Sequence, residues 1–458
     1  MRYLINTIKI IAIIAALLFL TFVIVNWGDE ALKPEVAQAL AWQAPTNAFD
    51  DNGYSVLLGI EAPIDMDAAT IGKKALQAEL ARFASLQQTH KETPARAENL
   101  REIDAYTDWK DHQCDYQKQQ NCVDFYLLQG DAKLAFVLAS QARLIARFEA
   151  IKQSKNYTEV MPPMLSAQIP KYSSLMNASE LARIRAILDI AENRMDTGLQ
   201  GYVNNAMFSR KLLRESNSLV SHMVAVAMMQ RDTRVLSELM TKYPIIASKY
   251  SAQLMPVLAP ISAPEYNLKK AFMQATNWQI PIINNMRYAN ATELAGEKTN
   301  FMQKAWLKIG FKPNATLNLL NAQTNDIIKL AELNAAQFAD KKAHYLAMQK
   351  ENRDVVDYRL LTQKNPVGRI LASISAPECE KYIERQHDLD GYLKMVRMQL
   401  ALLADGTLIE KIASIELLDP YTQKQMPYDA ISGVVTFNGR QAAGGNYNKS
   451  NLYKVKVN

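Results

Sequence analysis

Apolar residues form one unbroken block near the start of this chain and recur periodically through the rest. The block runs from Ile10 to Val25, IIAIIAALLFLTFVIV, with Thr21 as its one polar side chain. Extended to residues 8–27 it holds about 20 residues, enough to cross ~30 Å of hydrocarbon as a helix. Beyond it the apolar positions return at helical spacing. Leu76, Leu80, Phe83 and Leu86 form one stripe, introduced by Asp67 as a predicted N-cap. Leu134, Leu138, Leu144 and Phe148 form another within VDFYLLQGDAKLAFVLASQARLIARFEAIKQ, with Arg143, Arg147 and Lys152 elsewhere on that helix surface.

The helical period continues from about Ser179 to Met255, recurs over 293–309 and over Ala315 to Gln349, and starts again near Glu378. Met223, Met228, Met229 and Met240 fall in this pattern and read as adaptable core filling. His222 among them reads as a hydrogen-bonded core imidazole. The alternating runs Val434–Phe437 and Tyr453–Val457 predict short strands joined by a Gly-Gly-Asn loop.

Breaks divide these elements. Pro34, Pro45, Gly53, Gly59 and Pro63 punctuate an irregular lead-in, in which Tyr54–Ile60 predicts a short strand or helix against the body. Met161-Pro162-Pro163 to Pro170 forms a second break. Pro256, Pro260, Pro264, Pro281 and Pro313 limit helix length, and Ile283-Asn284-Asn285 reads as a surface connection. Asn365-Pro366 and Asp419-Pro420 open turns. The predicted fold is therefore mainly α: a single N-terminal transmembrane helix, a multi-helix bundle-type body and a small C-terminal β-hairpin. The expected units are 1–27 (cytoplasmic tip and anchor), 28–66 (linker and lead-in), 67–160 (N-terminal helical region with a cysteine turn), 161–405 (main helical body) and 406–458 (turn-rich tail).

The flanks of the apolar block decide between an anchor and a cleaved leader. The core exceeds the usual 7–15 residues of a signal peptide, and Asn26-Trp27-Gly28-Asp29-Glu30 follows it without a small-residue cleavage pattern. Retention is the expectation. Arg2, Lys9 and the amino terminus precede the span, so the positive-inside rule places the N-terminus in the cytoplasm and the body in the periplasm.

Composition adds two bounds. Glycine is scarce (16 of 458 residues) and Ala, Leu, Gln and Met are plentiful, which favours helices. The formal net charge of +6 is dispersed, with no block of five basic residues, so no nucleic-acid surface is expected.

Cys114 and Cys122 flank a seven-residue polar turn, and in an oxidising compartment this spacing predicts a disulfide. A metal site with His112 and Asp115 is the alternative, but zinc pairs stand two to four residues apart. Cys379 is left as a buried or free thiol. Asp50, Asp51, Asp65 and Asp67 lack the spacing of a calcium loop and read as turn and helix caps. No cofactor or metal motif occurs. Near the C-terminus Tyr382, His387, Asp388 and Asp390 cluster in sequence. Adjacent helical residues point about 100° apart, so this group reads as a polar helix face packed between helices.

The segments Asn365-Pro366-x-Gly368-x-x-Leu371, Arg385-x-His387-Asp388-Leu389 and Asp419-Pro420-x-Thr422 to Tyr428 resemble the tail of an uncharacterised group of bacterial membrane-anchored proteins with a helical body. The last segment also resembles a turn-and-strand element, DPF-[ST]-G-K-P-L-x-Y, of some secreted and pilin-like proteins, with Gln423 in place of glycine. The resemblance covers about residues 365–438 and carries no catalytic residues.

No nucleophile elbow, zincin helix, Walker loop or dinucleotide fingerprint is present. The expectation is an inner-membrane protein whose periplasmic domain is a non-catalytic scaffold or binding module with an envelope protein partner. The alternative is an envelope hydrolase using carboxylate or histidine chemistry in a cleft between helices.

Overall fold

The computed structural model describes residues 2–63, 65–89, 109–116, 118–119, 121–164, 166–287, 301–358, 363–375, 379–405, 417–441 and 451–457. The apolar block is helix α1 (Arg2–Val25). It is followed by α2 (Pro34–Leu40), α3 (Gly53–Leu58), α4 (Ala68–Thr89), α5 (Cys122–Gln129), α6 (Asp131–Ser140) and α7 (Ala142–Gln153). The central helices are α8 (Tyr172–Ala191), α9 (Met195–Glu215), α10 (Leu219–Lys242) and α11 (Ile245–Leu254). Then come α12 (Leu268–Asn285), α13 (Phe301–Gly310), α14 (Pro313–Ala331), α15 (Ala335–Tyr358), α16 (Pro366–Ser375) and α17 (Glu380–Asp405). Strands β1 (Tyr428–Asp429), β2 (Val434–Asn438) and β3 (Leu452–Lys456) form an antiparallel sheet in that order. The fold is mainly α, as the periodicity predicts. The hairpin gains a short third strand, with Tyr428 opposite Val435 and Val435 opposite Val455. The Gly-Gly-Asn loop, Glu378 and residues 406–416 lie outside the described residues.

Local signals set many boundaries. Asp67 Oδ2 accepts from the Thr70 amide at 2.7 Å, so the predicted N-cap forms. Asn52, Asn121 and Ser218 cap α3, α5 and α10 in the same way. Gly130, at φ +88°, splits the pattern after the cysteine turn, and Gln141 splits it again, so one run becomes α5, α6 and α7. Asn334 accepts from the Gln337 amide at 3.0 Å and starts α15, dividing the long 315–349 pattern.

Two readings change. Ile283-Asn284-Asn285 is the end of α12 rather than a surface connection, and Pro281 lies inside that helix. An internal proline costs about 3 kcal/mol. Burying Ile280 and Ile283 against Phe311, Leu317 and Val367 recovers roughly 1.5–3 kcal/mol for each side chain. Arg147, read as a helix-surface residue, is buried. Its guanidinium donates to the carbonyls of Ile60 (2.9 Å), Ala62 (2.8 Å), Pro63 (3.0 Å) and Met66 (3.3 Å), closing the turn after α3. Arg210 does the same after α11, with Ala259 O at 2.8 Å, Pro260 O at 3.0 Å and Glu265 at 2.7 Å.

Much of 28–66, read as linker and lead-in, is packed. All of α3 is buried, and it meets α4 backbone to backbone. A methyl group at Gly72 would lie 1.6 Å from the Ser55 carbonyl oxygen, and one at Gly59 would lie 2.0 Å from that of Ala68. The end of α1 is also tied down. Phe22 is 1% exposed, and Asn26 accepts from the Asn365 amide at 2.7 Å while donating to Gln363 O at 3.2 Å. Asp29 accepts from the amides of Asn314 (2.8 Å) and Ala315 (3.0 Å), capping α14.

The main core holds the deepest charges. Arg183, with no solvent exposure, meets Glu180 and Asp232 at 2.6 Å each. Glu180 also accepts from the hydroxyls of Tyr116 (2.7 Å) and Tyr126 (2.5 Å). Asp232 accepts from Asn205 (2.9 Å) and Ser209 (2.8 Å). Arg183→Met leaves the buried Asp232 without its cation and Glu180 with only the partly exposed Arg231 at 3.6 Å, and a loss of about 3–5 kcal/mol is expected in chemical denaturation. Unchanged stability would show that the network is dispensable.

Cys114 and Cys122 stand at disulfide distance, with their Cα atoms 5.6 Å apart. Cys379 is buried, and burial, helped by Glu380, pushes its thiol up to about 12. Titration of denatured, unreduced protein is expected to find one reactive thiol per chain. Three would remove the disulfide.

Candidate functional site

Helix α17 carries all four residues of the C-terminal polar cluster, and its geometry separates them. Tyr382 is half-buried, with the Arg385 guanidinium 5.6 Å from its ring centre. Asp388 is fully buried and faces the C-terminal sheet. It accepts from the Tyr421 hydroxyl at 2.7 Å and from the amides of Arg440 (2.9 Å) and Gln441 (2.8 Å). Burial pushes its carboxyl up to about 6, against the pull of those hydrogen bonds. A methyl group at Gly439 would come within 2.7 Å of Asp388 Oδ2, so this seat accepts bare backbone only. Asp388 is thus the fastening of the tail to the helix.

His387 and Asp390 point to a different surface, a cleft of about 860 Å³. One wall is the start of α12 with Tyr266, Leu268 and Lys269, and the opposite wall is the α14–α15 junction with Ile328, Leu333, Ala335 and Gln337. His387, Asp390 and Lys394 of α17 form its back, and Pro420 and Gln423 of the Asp419 turn close one end. The lining is mixed, with aliphatic side chains between hydrogen-bonding groups, as small-molecule sites tend to be.

His387 is 2% exposed and stands among the rings of Tyr266 (5.7 Å), Phe338 (5.5 Å) and Tyr421 (6.0 Å). Its Nε2 has no hydrogen-bond partner among the described residues. Burial lowers its pKa to about 4, so the ring is neutral near pH 7 and can donate or accept one hydrogen bond. A buried polar atom of this kind is uncommon and calls for an explanation. Asp390 accepts from the Ile261 amide at 3.2 Å and faces Lys394 at 3.7 Å. With Asp388 engaged by the tail and Asp390 by Ile261, neither carboxylate orients the imidazole.

Gln423 adopts φ +55°, the left-handed region, at the cleft's end. This position holds glycine in the element that the turn resembles, and a side chain there costs about 1–2 kcal/mol. Strain of this kind is often found at functional positions. Of the cleft residues, sequence spacing singled out His387 and Asp390 alone. Tyr266, Leu268, Leu333 and Lys394 carry no local signal, because four separate segments build the walls.

A smaller cavity of about 230 Å³ lies beside Trp42, Glu159, Lys270 and Met273. Glu159 already accepts from the amides of Asn217 (2.8 Å) and Ser218 (2.9 Å) at the start of α10, a capping role. His222 is the core imidazole that the sequence predicts. Its Nδ1 lies 2.9 Å from Ser216 Oγ, and its Nε2 is turned toward Gln386 without closing a hydrogen bond. Among the described residues no three metal-ligating side chains converge.

No family model, curated protein or solved structure matches this chain.

Burial lowers His222 and His387 alike, to about 4 from an ordinary value near 6.5. Between those values the unfolded chain binds more protons than the native one, so stability is present above pH 6.5 and falls as pH drops toward 4. Each ring contributes on the order of 3 kcal/mol to that loss. Denaturation midpoints of wild type and His387→Phe across pH 4–7 check this. The variant is expected to show the shallower decline, and parallel curves would contradict a buried, neutral His387.

Proposed function

We propose that this protein is a single-pass membrane protein whose helical body acts outside the cytoplasm as a non-catalytic binding module. The cleft beside His387 carries the reading. It combines a ligand-sized volume, a mixed lining and a buried imidazole whose Nε2 is unpartnered. Helix α1 supports the anchoring part, since it is long and apolar enough to span a membrane. Its apolar side chains face outward, with Ile10, Ile11 and Ile13 each about 60% exposed. The paired Cys114 and Cys122, the flanking charges and the resemblance to membrane-anchored proteins favour a periplasmic body.

Hydrolysis through a histidine–carboxylate pair has less support. That chemistry needs a carboxylate on the imidazole to fix its tautomer and stabilise its cation. Asp388 and Asp390, the cluster carboxylates beside His387 on α17, are occupied elsewhere.

Two measurements test the reading. A reporter that is active only outside the cytoplasm, fused after Asn458, is expected to be active, and inactivity would place the body in the cytoplasm. A thermal-shift screen of small polar–aliphatic compounds on the full chain is expected to yield compounds that stabilise wild type but not Ala336→Trp, which fills the cleft rim. Equal stabilisation of both would move binding away from the cleft.

A further inference from the structure

We propose that the body rests on the bilayer through a basic collar around the last turn of α1, and that this collar binds anionic phospholipid headgroups. The inference depends on the reading that α1 spans the membrane. A span of 20 residues beginning at Ile5 ends at Ile24, yet Phe22 within it is already enclosed by the body. A methyl group on Gly310 would lie 3.1 Å from the Phe22 ring, so the end of α13 touches the end of the span. Asn26, one turn later, is held by Gln363 and Asn365. These body segments therefore stand at the depth where hydrocarbon gives way to headgroups.

Four cations are placed on those same segments. Lys308 lies two residues before Gly310. The Lys312 amide donates to Asn365 Oδ1 at 2.8 Å, which brings the start of α14 beside Lys364. Arg369 Nε donates to the Lys364 carbonyl at 3.3 Å. Among the described residues Asp29, which keeps its charge while accepting from the first amides of α14, and Glu30, which pairs with Lys364 at 3.4 Å, share the collar, so these groups together remain in net positive excess. Lys308, Lys312 and Arg369 form no ion pair among the described residues.

Partial burial lowers the Lys312 pKa, and neighbouring Lys364 acts in the same direction while Asp29 opposes it. An added anion would relieve that crowding. Trp27, 82% exposed at the end of α1, is the amphipathic ring expected at an interface. Each basic residue near an anionic leaflet is worth about 1 kcal/mol, and long cationic side chains reach headgroups while their stems stay on apolar surface.

The test equilibrates the full chain with mixed micelles of phosphatidylcholine and phosphatidylglycerol and quantifies the retained lipid by mass spectrometry. Wild type is expected to enrich phosphatidylglycerol. Retention should weaken by roughly fivefold for each cation removed, reaching the micelle ratio in Lys308→Gln/Lys312→Gln/Arg369→Gln. Raising salt to about 0.5 M should act in the same direction. Lys308→Gln/Arg369→Gln, which leaves the partly buried Lys312 side chain intact, provides a folded comparison with an intermediate loss. Equal retention of the two lipids by wild type, or undiminished enrichment in the variants, overturns the collar. Alkaline carbonate extraction separates the two readings. A carbonate-resistant chain without enrichment loses the collar alone, whereas a chain released by carbonate loses the anchor and the collar with it.

Discussion

Arg183 sits with no solvent exposure where α8, α9 and α10 cross, and its charge is sustained there because two carboxylates meet it at 2.6 Å. Burial alone would drive Glu180 toward its neutral form, but Arg183, Arg231 and its hydrogen bonds outweigh that and hold it below the usual carboxylate range. The partners come from separate helices, so the network acts as a positional lock. Tyr116, inside the Cys114–Cys122 loop, and Tyr126, just after it, attach the cysteine turn to it. Tyr202 adds α9 by donating to the Asp232 carbonyl at 2.6 Å. A slip of α8 against α10 would part Arg183 from Asp232 and leave that carboxylate buried without its cation.

The same use of arginine recurs where helices turn back. Arg147 and Arg210 each gather several carbonyls from an irregular segment that would otherwise bury unmet acceptors. These clamps let the chain reverse tightly after α3 and after α11 without a glycine-rich loop. The second reversal leads through Glu265 and Tyr266 into one wall of the cleft, so that wall inherits the rigidity of the Arg210 clamp. The opposite end of the cleft is held by the Asp388 fastening, because Tyr421 lies in the same turn as Pro420 and Gln423. The Arg210 clamp and the Asp388 fastening thus hold the cleft from two sides.

A second, smaller core of Val36, Ile280, Ile283, Phe311, Leu317, Leu320 and Val367 lies beside the last turn of α1. It receives the segment after the apolar helix and leaves little free chain there. The body therefore has a fixed relation to the helix axis. That relation determines which basic residues gather around its base.

Period, caps and breaks along the chain were enough to determine the apolar N-terminal helix, the mainly α body, the Asp67 cap, the cysteine pair and the C-terminal strands. Each depends on residues within a few positions of one another, and such signals survive without tertiary context. Pro281 inside α12, the burial of Arg147 and Arg210, and the packing of 28–66 were decided only by tertiary contacts. In each case burial against distant segments outweighed a local preference. The polar cluster on α17 shows the boundary clearly. Sequence identified His387, Asp388 and Asp390 as a group on a helix, but it could not say that Asp388 would serve the tail while His387 and Asp390 faced a cleft. That division depends on which segments lie over each face of the helix, and those segments come from residues up to about 130 positions away.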